Sequence, residues 1–218
     1  MEREADLDGY RKEVVGFSML WGNLYAIVAL LVFGAAFGVP FYLIWGETVS
    51  VFQELDPYQH RRLPIPLWNM MVLITPLIVG IVLHELIHGA FYALFAKGGF
   101  KSVKFGFKLK YLAAYCICTE PVKIKRAIVA LIMPAIILGF APSIAALFLG
   151  SWYLLYIGVI FTVSSMGDFL ALLWLAKEDK EDYIHDTLGP TSHITIYRKG
   201  NDRPSLCFFL RLAFPSLK

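Results

Sequence analysis

The chain has 218 residues, 58% of them hydrophobic and only 17% charged, with a net charge of +3. A soluble domain carries about 25% charged residues, so the composition argues against an ordinary water-soluble enzyme. The small net charge does not call for a nucleic-acid partner. Three cysteines, Cys116, Cys118 and Cys207, are too few for a disulfide framework.

Met1 to Glu13 is acidic and polar and lacks the basic start and short apolar core of a cleaved signal peptide. A spanning helix needs roughly 20 mostly apolar residues, and four stretches qualify. They run over about 16–44, 66–96, 127–149 and 152–176. Gly34, Gly38 and Pro40 can kink or shorten the first. Gly150 and Ser151 alone separate the third and fourth, which predicts a tight antiparallel helical hairpin. Between the second and third, Val103, Phe105, Phe107 and Leu109 alternate with Lys104, Gly106, Lys108 and Lys110. That period of two predicts an amphipathic strand, with a second short strand through Tyr111 to Cys118 closing a hairpin. The tail, residues 177–218, is mixed, with one strand-like run from His193 to Tyr197. The expected fold is an all-α membrane protein: a bundle of about four transmembrane helices with a small cytoplasmic β-hairpin, in a single domain over 1–218.

Orientation follows from lysine and arginine. With four spans, 18 of the 20 basic residues fall on the side that holds both termini, and only Arg61 and Arg62 lie opposite. The chain is therefore expected to be a multi-pass protein of the cell membrane with cytoplasmic N- and C-termini. The tryptophans agree: Trp45, Trp68 and Trp152 fall at outer ends, Trp21 and Trp174 near inner ones, as an aromatic belt requires.

Within the second span stands His84-Glu85-Leu86-Ile87-His88. Residues four apart share a helix face, so His84 and His88 can bind one metal together. Neutral imidazole nitrogens suit Zn²⁺, and Glu85 beside them can take a proton from a water and pass it to a leaving amine. The bland reading is a polar cluster that glues helices. Such a cluster would not need this spacing, and ionisable residues cost roughly 2.5–3.5 kcal/mol each at mid-membrane on insertion scales.

Two histidines leave a catalytic zinc short of a protein ligand. Asp168 is the only other acid or histidine deep in a span. His88 lies nine residues before Lys97 and Asp168 nine before Lys177, which puts both roughly 13 Å from the same end. Alternatively, Asp168 is a lone acid hydrogen-bonded to Ser164 or a neighbouring helix. Glu120, 32 residues past His88, is the competing ligand, although it would have to fold back from a basic loop. His185 and His193 read as solvated tail residues. Pro134, near the depth of the metal site, frees a backbone carbonyl and bends the third span. Asn23 reads as a helix–helix hydrogen-bonding residue, and Gly89 as a point of close helix approach.

With these residues the sequence resembles intramembrane metalloproteases of the site-2 protease type, which carry HExxH in one transmembrane helix and an aspartate ligand in a later one. It is more closely similar to a small bacterial and archaeal multi-pass family known as a putative zincin peptidase, from about residue 70 to the C-terminal strand. One departure stands out. Site-2 proteases follow the aspartate with glycine and precede it with an Asn-x-x-Pro element, whereas here Gly167 precedes Asp168 and no such element occurs.

The function this implies is a zinc metallopeptidase with Zn²⁺ held by His84, His88 and Asp168 and water activated by Glu85. Its partners would be membrane lipid and a membrane-protein or hydrophobic peptide substrate, with the oligomeric state unknown from sequence. Two other readings fit the same residues, a zinc-dependent lipid amide or ester hydrolase and a non-catalytic membrane scaffold. The ligand set also suits other divalent ions.

Overall fold

The computed structural model describes residues 10–16, 19–46, 65–108, 113–186 and 193–199. Arg61, Arg62 and Cys207 lie outside them, as do the side chains of Trp21, Asn23, Trp68 and His193.

In chain order the elements are β1 (Tyr10–Gly16), α1 (Met19–Trp45), α2 (Ile65–Phe95), a short 3₁₀ turn (Gly99–Ser102), β2 (Val103–Lys108), β3 (Ala113–Cys118) and β4 (Val122–Lys123). Then follow α3 (Ile124–Pro134), a π-helical segment (Ala135–Phe140), α4 (Ala141–Leu149), α5 (Trp152–Ser164), α6 (Met166–Leu175), β5 (Tyr183–Asp186) and β6 (His193–Lys199). Among the described residues three helices are long and apolar enough to cross a membrane: Leu24–Trp45, Met70–Phe95 and Ile124–Leu149. A fourth arises if the pair Trp152–Ser164 and Met166–Leu175, bent by 47°, counts as one span.

The molecule is mainly helical, but the all-α expectation needs correcting. Besides the hairpin β2–β3, an antiparallel sheet of four strands runs in the order β1-β6-β5-β4. It pairs Tyr10 with Lys199 and Val122 with Ile184, so that strands far apart in the chain complete one another. The segment read as a polar N-terminus contributes β1. Part of the tail read as an appendage contributes β5 and β6.

Two compact units emerge from the contacts. The first comprises residues 1–23, 85–133 and 167–218. Its core gathers Tyr92, Cys118, Val122, Ile124, Ala127, Ala130, Leu175, Ile184 and Ile196. The ends of three helices and both sheets meet there. Arg198 of β6 grips Glu178 through two hydrogen bonds, Nε to Oε2 at 2.8 Å and Nη2 to Oε1 at 2.6 Å. This pair, nearly buried on both sides, ties the sheet to the chain leaving α6.

The second unit comprises residues 24–84 and 134–166. Here helices pack through small residues. A Cβ on Gly158 would overlap Ser143, one on Gly139 would overlap Thr162, and one on Gly80 would overlap the Phe161 ring. Close backbone approach of this kind is how helices gain contact where no hydrophobic drive separates them from their surroundings. The tight turn expected between α4 and α5 is present. Gly150 ends α4 with φ +66°, the left-handed conformation that glycine adopts without strain. Ser151 caps α5, its side chain accepting from the Leu154 N–H. Trp45 Nε1–H donates to the Leu147 carbonyl at 2.9 Å.

The third apolar stretch is irregular at Pro134, where a bend is expected, and the fourth is broken where none is. Pro134 cannot donate a backbone hydrogen bond, and the helix loosens into the π segment straight after it. Ser165 interrupts the fourth stretch: its hydroxyl and that of Ser164 both donate to the Phe161 carbonyl, and Thr162 donates to Gly158. Hydroxyls that back-bond to the preceding turn bend or end helices.

Candidate metal centre

His84 and His88 lie one turn apart on α2, and both are buried. The helix forms here because Leu, Ile and Ala dominate and the chain meets no proline between Pro76 and the end of α2. Glu85 is half-buried beside them. Asp168 falls in the first turn of α6 because the break at Ser165 starts a new helix there. A carboxylate in a first turn faces the positive end of the helix dipole.

His88 is held from both sides. Its Nδ1 is 2.9 Å from the carbonyl oxygen of Ala130 on α3. A carbonyl can only accept, so Nδ1 carries the proton, and the ring in its neutral form presents its lone pair at Nε2. That Nε2 stands 3.4 Å from Asp168 Oδ1. With the ring neutral, two acceptors face each other at a separation that calls for a proton or a cation between them. A zinc ion with tetrahedral bonds of about 2.0–2.1 Å to nitrogen and oxygen spans roughly 3.3–3.4 Å between two ligand atoms. The observed gap is compatible with that edge. His84, His88 and Asp168 each offer one ligand atom, all within 4.8 Å of one another, and form a group able to hold a metal ion. Two imidazoles and one carboxylate are a donor set that zinc accepts.

The hairpin β2–β3 lies against the helix just past the motif. A Cβ on Gly89 would overlap the Phe105 ring, and Val103 approaches the same point. Gly89 thus admits a strand, not the helix expected from its sequence. Only glycine leaves room for an aromatic ring to sit one residue beyond a ligand.

The competing ligands are engaged elsewhere. Glu120 accepts from Ser102 Oγ at 2.6 Å and from the backbone N–H groups of Lys97 and Gly98 at 2.9 and 3.3 Å. These bonds, chiefly the one from Ser102, hold its carboxyl below the usual carboxylate range. Glu120 therefore organises the turn from α2 into β2 and does not join the cluster. His185, expected to be solvated, is half-buried, with Nε2 3.2 Å from the Thr119 carbonyl.

Sequence reasoning missed the Ala130 carbonyl, because no side chain marks it. Pro134, four residues later, is the signal that could have found it, since the carbonyl it frees is Ala130's.

No curated protein and no solved structure matches the chain. Residues 77–183 match a family described as putative zincin peptidase, and the matched stretch contains His84, Glu85, His88 and Asp168. Over that stretch, just under half of its length, the chain is similar to the putative zincin peptidase family.

Proposed function

We propose that the protein is an integral membrane zinc peptidase that hydrolyses peptide bonds of membrane-embedded or hydrophobic substrates near the cytoplasmic face. The observation that carries this reading is the pairing of His88 Nε2 with Asp168 Oδ1 at 3.4 Å, with Nδ1 committed to a carbonyl. The family match supports the peptidase class. The long apolar helices support the membrane setting.

Zinc bound by His84, His88 and Asp168 would polarise a substrate carbonyl and bring the pKa of its water to about 7. Glu85, next to His84 on the helix, takes a proton from the attacking water and delivers it to the departing amine nitrogen. Asp168 supplies the negative charge that two neutral imidazoles lack. Ala130 keeps the His88 ring oriented with Nε2 toward Asp168. Among the described residues β2 pairs with β3 alone, so an extended substrate segment can add along its other edge by backbone hydrogen bonds. Phe105, beside Gly89, would then border the substrate close to the metal ligands.

Metal analysis of the purified protein tests the reading. One equivalent of zinc in the wild type, lost in His88→Ala and Asp168→Ala, is the expected result. Zinc absent from the wild type, or retained by both variants, would defeat it. Parallel incubation with hydrophobic peptides and with lipid amides and esters then reads the bond that is cut. Cleavage confined to lipid would replace peptidase by lipid hydrolase.

A further inference from the structure

Pro134 is fully buried in the third apolar stretch, where a proline disrupts the helix. In a regular helix the N–H of residue 134 would donate to the carbonyl of residue 130. Proline has no N–H and its ring presses on that same carbonyl. Ala130 is itself 0% exposed, so water does not supply the missing donor. In apolar surroundings a carbonyl without a donor is unfavourable. The donor observed on it is His88 Nδ1–H, at 2.9 Å.

We infer that Pro134 is a positioning residue for the metal centre: by withdrawing the backbone donor from Ala130, it reserves that carbonyl for His88 Nδ1–H and so aims the Nε2 lone pair at the metal position. The inference rests on the metal reading given above and adds a residue that does not touch the metal. Two deficits answer each other. The ring nitrogen needs an acceptor to fix its tautomer, and the carbonyl needs a donor that its own helix lacks. Partners of this kind on the far nitrogen of a metal-binding histidine typically govern affinity by a factor of 10–100. With alanine at 134, a backbone N–H claims Ala130, and the imidazole must share the oxygen or turn away.

The test uses the full-length protein in lipid nanodiscs, in three forms. These are the wild type, Pro134→Ala, and a form in which residue 134 is the α-hydroxy analogue of alanine. The last has an ester in place of the amide and therefore lacks both the ring and the N–H. Two quantities are read: the ¹⁵N chemical shifts of the His88 ring in the metal-free protein, identified by their loss in His88→Gln, and the zinc dissociation constant from chelator competition. The wild type should show the Nδ1–H tautomer before metal is added. Pro134→Ala should lose that tautomer's dominance and bind zinc about tenfold more weakly. The ester form should recover both. Pro134→Ala with wild-type tautomer and affinity overturns the inference, as does an ester form that behaves like Pro134→Ala, since the ring or the bend would then be responsible. If Pro134→Ala does not fold, the ester form against the wild type decides: equal affinity supports the inference and a tenfold loss overturns it. Zinc that fails to bind the wild type defeats the metal reading, whereas the tautomer measurement still judges Pro134 by itself.

Discussion

Ile124, Leu175 and Ile196 are no more than 2% exposed, whereas Leu31, Leu43 and Phe148 are 68%, 77% and 78% exposed. The first three belong to the unit that holds the sheets, and the others to the unit formed by residues 24–84 and 134–166. The sheet-bearing unit closes a core of its own and buries even charged groups beside partners, as Arg198 does with Glu178. The other unit turns large apolar side chains outward along helices apolar on every face, the composition of helices able to span a membrane. His88 and Asp168 belong to the unit that seals its own interior, where a lone pair and a carboxylate can be held in place by protein groups.

The largest expected effect tests whether the sealed unit does chemistry or merely adheres. Glu85→Gln should keep the metal while hydrolysis falls by about 10²–10⁴-fold, the usual contribution of a general base. Undiminished turnover would remove Glu85 from its role.

Next comes the burial of charge in the same unit. Arg198→Ala leaves Glu178 nearly buried without its bidentate partner, a loss of about 3–5 kcal/mol for a pair of this kind. Denaturant unfolding followed on the sheet signal should show it. Replacing both residues with apolar ones of similar volume should recover most of the loss.

The other unit is probed by Leu31→Arg. If α1 faces hydrocarbon, the change costs about 3 kcal/mol of insertion and lowers membrane incorporation in a translocation assay. If that face meets water, an exposed substitution moves stability by no more than about 0.5 kcal/mol, and the contrast between the two units is lost.

The smallest effect is electrostatic and lies at the surface. Hydrogen bonds from Lys123 and then Lys125 hold the Glu181 carboxyl far below its ordinary 4.5, at about 2. A carboxyl depressed in the folded state stabilises it above the unfolded pKa, and that contribution fades as pH falls through the folded one. Glu181→Gln should therefore lower the thermal midpoint slightly at neutral pH. The difference from wild type should shrink as pH falls from about 4.5 and vanish below about 2. Solvent and salt screen the exposed ion pairs, so 1 M salt should erase it as well.

Much of this was legible in the residues. Long apolar stretches located the helices to within a few positions, because helical hydrogen bonds are local and hydropathy alone decides the rest. Period-two alternation from Val103 and the Gly150-Ser151 stop were equally local, and the structure has β2 and the turn where they predict. The four-stranded sheet was not legible. Tyr10 pairs with Lys199, and neither sequence neighbourhood contains the other's pattern. The interruption at Ser165 was hidden for a different reason, since serine in an apolar helix reads as tolerated until its hydroxyl is seen to donate to Phe161.

The sequence by itself determined the chemistry on offer: two histidines at helical spacing, an acid between them, and an aspartate at equal depth in a later stretch. Spacing along one helix is a covalent property, so it survives any fold. Only the tertiary structure decided the geometry. It brought Asp168 to within 3.4 Å of His88, engaged Glu120 at a turn, and supplied through Ala130 the acceptor that settles which ring nitrogen is bare. Those are contacts between residues distant in the chain, and a backbone carbonyl has no letter in the sequence.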